Sequence, residues 1–186
     1  MNQSESRSTR WLVAAGLALG AVLIIWLIFF GQSDPEPNPV EAAKLVQLKN
    51  QAIGQLENIP NDDKNDGSES TTAFAELTRQ LPDELLGPRN LAIASLLSLE
   101  KVDKNTAQAK FGELAEKCQA AVDQLKSIEP KSGIADLLAA KLAIARDDDQ
   151  AAAKHYEAAC NKMPNDFVPW AELFMLVRDS KEVDLC

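Results

Sequence analysis

The acidic loops contain the side chains most able to do chemistry, and residues 62–67 come closest to a metal site. Four carboxylate or amide side chains precede Gly67 there, as in the calcium loop of an EF-hand. That loop needs oxygen ligands at its first, third and fifth positions and a glutamate at its last. With Gly67 in register, Lys64 takes the third position and Ala73 the last. An ammonium and a methyl group cannot ligate calcium, so we predict a solvated turn.

The second acidic cluster and the histidine also lack the partners that a metal site needs. Residues 147–149 are three consecutive aspartates, which do not converge on one ion without other ligands, so we predict a helix stop followed by an N-cap. His155 is the only histidine, and we expect it on the solvent side of its helix. One histidine provides neither a His-based metal cluster nor a Ser/His triad.

The three cysteines show no Cys-x-x-Cys spacing. Cys118 and Cys160 fall at helical positions that suit a small apolar residue, and we predict buried free thiols. The alternatives are a disulfide between them, which would need adjacent helices in register, and pairing of Cys186 between molecules. Phosphate-loop, nucleophile-elbow and zinc-protease motifs are also absent from the sequence. We therefore expect no enzyme, no cofactor and no metal.

The charge of the chain argues against nucleic acid as a partner. The formal net charge is -9 and the isoelectric point is about 4.7. An acidic surface repels phosphate, and no cluster of Lys and Arg offsets it.

Residues 11–30 predict a transmembrane helix. These twenty residues carry no charge, and a helix of that length spans about 30 Å, the thickness of a bilayer's hydrocarbon core. Arg7 and Arg10 precede the segment and acidic residues follow it. We therefore expect residues 1–10 in the cytoplasm and the remainder outside it, in the periplasm if the cell is bacterial. A cleaved signal peptide is the alternative, but its apolar region is shorter and needs a small-x-small site.

Two smaller features flank this anchor. Gly16 and Gly20 have the spacing of a small-residue dimerisation motif; they could mark a membrane dimer contact or be a chance pair in a span rich in Gly and Ala. Residues 31–39 contain three prolines, which predict an extended linker between the membrane and the next domain.

Residues 40–178 predict an all-α domain, followed by a tail at 179–186. Apolar residues recur at helical spacing, as at Leu114, Cys118, Val122 and Leu125, and no stretch alternates at period two for long enough to form a sheet. The predicted helices are 40–58, 71–81, 84–99, 107–128, 133–146, 150–162 and 167–178.

The helices follow a repeating pattern. Pro130 and Pro164 are 34 residues apart. Ala152, Tyr156 and Pro164 fit the second helix of a tetratricopeptide repeat (TPR), and Trp170-x2-Leu173 fits the start of the next. Asp136 departs from the pattern, since the family has Trp there. The chain resembles the TPR family over about residues 40–178, which implies helix pairs stacked antiparallel as a short solenoid. The repeat-packing positions are Leu91, Ala92, Pro130, Ala140, Ala152, Tyr156, Ala159, Pro164, Trp170 and Leu173.

The resemblance implies a function in protein binding. TPR arrays hold an extended peptide or a helix in a concave groove, usually through Asn, Lys and Arg, and the matching positions are Arg89, Asn90, Lys141 and Arg146. We expect a membrane-tethered scaffold or adaptor for another envelope or exported protein, acting in assembly, maturation or secretion. The alternatives are the anchor and spacer of a larger protein whose working domain lies beyond Cys186, and a self-assembling structural protein.

The last predicted helix allows three interpretations. It would expose Leu173, Phe174, Leu176 and Val177 to whatever follows, whereas repeat arrays normally end in a helix with a polar outer face. It could dock back on the preceding pair as a cap, belong to a fragment of a longer protein, or bind a partner or a second copy. The capping interpretation is the one that we favour.

Overall fold

In a computed structural model, which describes residues 39–61 and 65–179, the protein is all-α. Over these residues it has seven helices and no strand, and those from Lys44 onward belong to one compact unit. Each predicted helix boundary lies within three residues of the observed one. The helices are α1 (Pro39–Asn58), α2 (Ser68–Gln80), α3 (Leu86–Glu100), α4 (Gln108–Ile128), α5 (Ile134–Ala145), α6 (Asp149–Lys162) and α7 (Phe167–Asp179).

Several predictions concern residues outside the described ranges. They are the cytoplasmic tail, the membrane helix with Gly16 and Gly20, nearly all of the linker, residues 62–64 of the predicted acidic turn, and the C-terminal tail beyond residue 179 with Cys186. Within 39–61 and 65–179, no helix combines the length and the apolar character that a membrane crossing requires.

A capping side chain and a glycine determine where two of the helices start. The Asp148 carboxylate accepts a hydrogen bond from the backbone N–H of Ala151 at 2.9 Å. Asp148 is therefore the N-cap of α6, which the sequence placed within residues 147–149. Before α2, Gly67 has a φ of 75° and lies so close to α3 that a Cβ would stand 2.0 Å from Oγ of Ser98. Only glycine satisfies both the backbone angle and that approach.

The helices pack in chain order from α2 to α7, each on the next, and α3 also contacts α5. The α3–α5 contact joins the first helix of one predicted pair, α3/α4, to the first helix of the next, α5/α6. This arrangement is compatible with stacked helix pairs, in which each pair buries its apolar side on its neighbour.

Two apolar clusters form the interior. The first cluster extends from α1 to α5 and includes large side chains such as Phe74, Leu77, Leu99 and Leu142. The second cluster joins α5, α6 and α7 and is made mostly of small residues. Its buried members are Ala140, Ala143, Ala152, Ala153, Tyr156, Cys160 and Leu173.

Three repeat-packing predictions need correction. Pro130 and Pro164 are exposed in the turns, so they end helices without packing between them. Trp170 is 48% exposed. Helix α7 uses Pro169 and Leu173 for its buried side, and Trp170 lies about 100° around the helix from Pro169. The expected exposure of Leu173 is also wrong, because this side chain belongs to the second cluster. The seven other positions are buried: Leu91, Ala92, Ala140, Ala152, Tyr156, Ala159 and Leu173.

A candidate protein-docking groove

A groove of about 460 Å³ lies between α3, α5 and α7, with the start and middle of α6 contributing to its wall. This volume is within the range of small-molecule pockets, so it suits a few side chains of a partner and not a folded domain. Its lining residues are Leu96, Glu100, Lys141, Ile144, Ala145, Asp149, Tyr156, Glu172, Met175, Leu176 and Asp179.

A polar bridge along the groove connects α5, α6 and α7. Lys141 Nζ on α5 pairs with Glu172 Oε1 on α7 at 2.7 Å. The Tyr156 hydroxyl on α6 donates to the other oxygen of that carboxylate at 3.5 Å. Burial, together with the negative charge of Glu172, raises the pKa of Tyr156 above its ordinary value. The hydroxyl therefore remains a neutral donor, and the bridge links α7 to α5 and α6.

The charged groups of the groove are mainly acidic. Four carboxylates and one ammonium line it. Glu172 neutralises Lys141, and Asp179 pairs with its neighbour Arg178 at 2.7 Å. The side chains of Glu100 and Asp149 have no hydrogen bond or ion pair within the described part of the chain. Their negative charge therefore faces the groove and the solvent.

The apolar lining of the groove is open to solvent. Ile144 is 38% exposed and Met175 is 43% exposed, and they come from α5 and α7 on either side. Leu96 and Leu176 lie beside them. An apolar surface within an acidic rim provides both a hydrophobic contact and a charge preference to a bound segment.

Of the four residues predicted to line a groove, Lys141 does so. Arg146 instead reaches back to α4, where its guanidinium donates to the carbonyl of Ala115 and to Oε1 of Gln119, both at 3.3 Å. Arg89 lines a much smaller cavity near the end of α4, and Asn90 is half-buried on α3 outside the groove.

Sequence reasoning missed the acidic side of the groove. Glu100 and Glu172 lie on the first helices α3 and α7, where only cations and amides were sought. Glu172 falls within the predicted helix 167–178 and Glu100 directly follows the predicted helix 84–99, whereas the TPR resemblance implies cations and amides at groove positions.

Asp136, which replaces the Trp of the repeat pattern, is a buried structural residue. Its oxygens contact Lys162 Nζ on α6 at 2.7 Å and Lys126 Nζ on α4 at 3.3 Å. Burial opposes ionisation of this carboxylate, but the two lysines outweigh it, and the pKa of Asp136 lies below its ordinary value. The ion pairs connect α4, α5 and α6, so the departure from the family pattern has a packing role.

His155, Cys118 and Cys160 are all at least partly buried. His155, which we expected on the solvent side, is half-buried, and burial together with Lys126 lowers its pKa. Cys118 and Cys160 are free and buried, as predicted. Burial raises the pKa of Cys118 to about 12, which leaves the thiol protonated and unreactive.

Asp66 and Asp147, one in each acidic loop, make structural contacts. Asp66 accepts from the backbone N–H of Ser68 at 3.0 Å and pairs with Lys110 at 2.7 Å, and Asp147 pairs with Lys104. Among the residues that the structure describes, no group of three or more His, Cys, Asp and Glu is placed to hold a metal ion.

Comparisons of the chain with protein-family models, with curated proteins and with solved structures find no match.

Proposed function

We propose that this protein is a membrane-tethered, TPR-like scaffold or adaptor that binds a segment of another protein in the groove between α3, α5 and α7. The observation that carries the proposal is the groove itself. Three helices converge on it, the Lys141–Glu172 pair positions its wall, and Ile144 and Met175 present apolar surface to solvent. Exposed apolar surface in a concave site is a common feature of protein interaction sites.

The order of the helices supports a repeat scaffold. From α2 onward, consecutive helices pack on each other, α3 contacts α5, and the 34-residue interval from Pro130 to Pro164 brackets the α5/α6 pair. Stacked helix pairs place their first helices side by side, and this creates an extended binding surface. The groove lies on α3, α5 and α7, which are the first helices of successive pairs under the proposed repeat.

The tether is supported by the apolar segment at residues 11–30 and the basic residues before it. A partner would then be another envelope or exported protein, and the function would be assembly, maturation or secretion. Carbonate extraction of membranes is expected to leave the chain in the pellet, and protease added outside the cytoplasmic membrane should degrade residues 40–178. Release by carbonate or protection from that protease would contradict this topology.

The docking proposal can be tested by photocrosslinking in intact cells. A photoreactive amino acid is placed at Ile144 or Met175 in the full chain, and at Glu116, an exposed position on α4 outside the groove, as the control. We expect both groove positions to capture the same protein and the control to capture none of it. A synthetic peptide covering the captured segment should then compete with capture from both positions.

Equal capture from all three positions, or no protein adduct from Ile144 and Met175, would contradict the proposal. A charge introduced at the groove provides a further check, since Ile144→Arg should abolish capture from Met175. Ile144 is exposed, so this change should leave the unfolding midpoint within a few degrees of the parent.

Self-assembly is a second candidate function, favoured by the outer face of α7. Phe167, Trp170 and Phe174 recur there at helical spacing and are at least 48% exposed. If this face pairs two copies, the mass of the purified chain in solution should be that of a dimer and return to a monomer in Trp170→Ser/Phe174→Ser. A monomer at all concentrations would exclude self-assembly without affecting the docking proposal.

A further inference from the structure

We infer that the groove selects a cationic partner segment, one in which Lys or Arg residues are interspersed with large apolar side chains. The inference rests on the proposed docking function and names the chemistry of its partner.

The first support is the balance of charge. Glu100, Asp149, Glu172 and Asp179 line the groove against the single ammonium of Lys141. That ammonium is already paired with Glu172 at 2.7 Å. An acidic ligand would therefore meet uncompensated negative charge without a free cation to bind, and like charges brought together at an interface are costly.

The second support is the origin of the carboxylates. Glu100 ends α3, Asp149 begins α6, and Glu172 lies on α7, so negative charge comes from separate walls. Glu100 and Asp149 have no partner among the described residues. A segment lying in the groove could pair with both without breaking an existing ion pair.

The third support is the apolar surface between these charges. Ile144 and Met175 are partly exposed, and Leu96 and Leu176 adjoin them. A bare metal ion would gain nothing from these side chains, and the acidic residues do not converge as a metal site in the parts of the chain described. Long Lys and Arg side chains match both features, because their methylene stems pack on apolar surface while their charged ends reach a carboxylate.

The inferred charge preference is opposite to the one implied by the TPR resemblance. That resemblance predicted a groove lined by cations and amides, and Arg146 and Arg89 would have supplied the positive charge. Both lie elsewhere, Arg146 against α4 and Arg89 at a separate cavity. The groove therefore contains the acidic side chains without the positive charge of these arginines.

Three labelled peptides of equal length test the inference on the full chain in non-ionic detergent. Each carries leucines at the same fixed positions, with Lys, Gln or Glu at all others, and binding is measured by fluorescence anisotropy. We expect the Lys peptide to bind about tenfold more tightly than the Gln peptide and the Glu peptide to bind most weakly. Raising the salt concentration should reduce this preference, since partly exposed pairs are screened.

A pair of matched variants distinguishes the groove from the overall charge of the protein. Glu100→Gln/Asp149→Asn removes two groove carboxylates, and Glu57→Gln/Glu116→Gln removes two exposed carboxylates outside the groove. The groove variant should weaken the Lys peptide about three- to tenfold, the range expected for two partly exposed ion pairs. The Gln peptide should be unaffected, and the control variant should bind all three peptides like the parent.

Equal losses in the two variants would overturn the inference, because net charge alone would then explain the preference. Tightest binding of the Glu peptide, or no binding of any peptide at millimolar concentration, would also overturn it. The docking proposal is judged separately by crosslinking from Ile144 and Met175. Specific capture of a neutral or acidic segment there would preserve docking and refute the cationic preference.

Discussion

The two apolar clusters of this molecule differ in the size of their side chains and in what they build. The first cluster, across α1 to α5, contains Phe74, Leu77 and many leucines. In the second cluster, across α5 to α7, four of the seven buried residues are alanines, and Tyr156 and Leu173 are its largest members. The first holds a helical frame together, whereas the second lets three helices approach closely beside a groove.

The contrast shows how a short helical array can keep a surface available. Small residues at the α5–α6 contact bring the helices together but bury little area, and hydrophobic stabilisation scales with buried area. Helix α7 buries Pro169 and Leu173, packs Leu176 and Val177 partly against the second cluster, and adds the polar bridge through Glu172. Five other apolar side chains of α7 remain exposed: Phe167, Val168, Trp170, Phe174 and Met175.

The largest expected difference in stability between the two regions comes from replacing one phenylalanine in each. Phe74 is fully buried in the first cluster, whereas Phe174 on α7 is 66% exposed. Phe74→Ala should lower the free energy of unfolding by about 3–5 kcal/mol, and Phe174→Ala by less than about 0.5 kcal/mol. Denaturant titration of the full chain, followed by circular dichroism, measures both. Similar losses would show that α7 packs as firmly as the frame.

A second comparison lies within α7. Leu173 is buried in the second cluster and Trp170 is half-exposed on the outer face. Leu173→Ala should cost about 2–3 kcal/mol, near the lower end for leucine because the site is at the edge of the molecule, and Trp170→Ala less than about 1 kcal/mol. Denaturant titrations of the two variants measure both costs. A larger cost for Trp170→Ala would mean that this side chain is covered.

The buried carboxylate of Asp136 should make the frame sensitive to acid. Its folded pKa is below the ordinary value of 3.8, so its ion pairs stabilise the fold at neutral pH. That contribution should be lost as pH falls from about 4 through the folded pKa. Asp136→Asn should cost about 1–3 kcal/mol at pH 7 and flatten the loss of stability between pH 5 and 2.

Melting curves of the parent and of Asp136→Asn over that pH range check this prediction. Asp123→Asn on α4 is the control, since its carboxylate is exposed and contacts only Gln119 among the described residues. An unchanged pH profile in Asp136→Asn would show that the two lysines do not stabilise the carboxylate.

The smallest expected effect separates two adjacent aspartates at the start of α6. Asp148 accepts from the backbone N–H of Ala151, whereas the Asp149 side chain makes no bond within the described residues. Asp148→Ala should cost about 1 kcal/mol and Asp149→Ala less than about 0.5 kcal/mol. Unfolding midpoints of the two variants measure the difference, and equal costs would argue against the cap.

The sequence predicted the helices well because their determinants are local. Apolar spacing marked the buried sides, Pro130 and Pro164 marked helix ends, and the Asp147–Asp149 cluster marked the N-cap of α6. It failed for Trp170, because burial of a residue at a repeat position depends on a neighbouring helix and not on the motif. It also failed for Arg146, because this long side chain reaches acceptors on the neighbouring helix α4, at Ala115 and Gln119.

The central claim is that α7 packs less firmly than the frame and lines a groove that binds a partner segment. Hydrogen exchange of the full chain, free and with the peptide segment identified by crosslinking, tests this claim most directly. We expect backbone amides of α7 to exchange faster than those of α3 and α4 in the free chain, because α7 has few buried side chains. The bound peptide should slow exchange in α7 and at the C-terminal ends of α3 and α5. Equal protection of α7 in the free chain, or protection confined to α1 and α2 on binding, would contradict it.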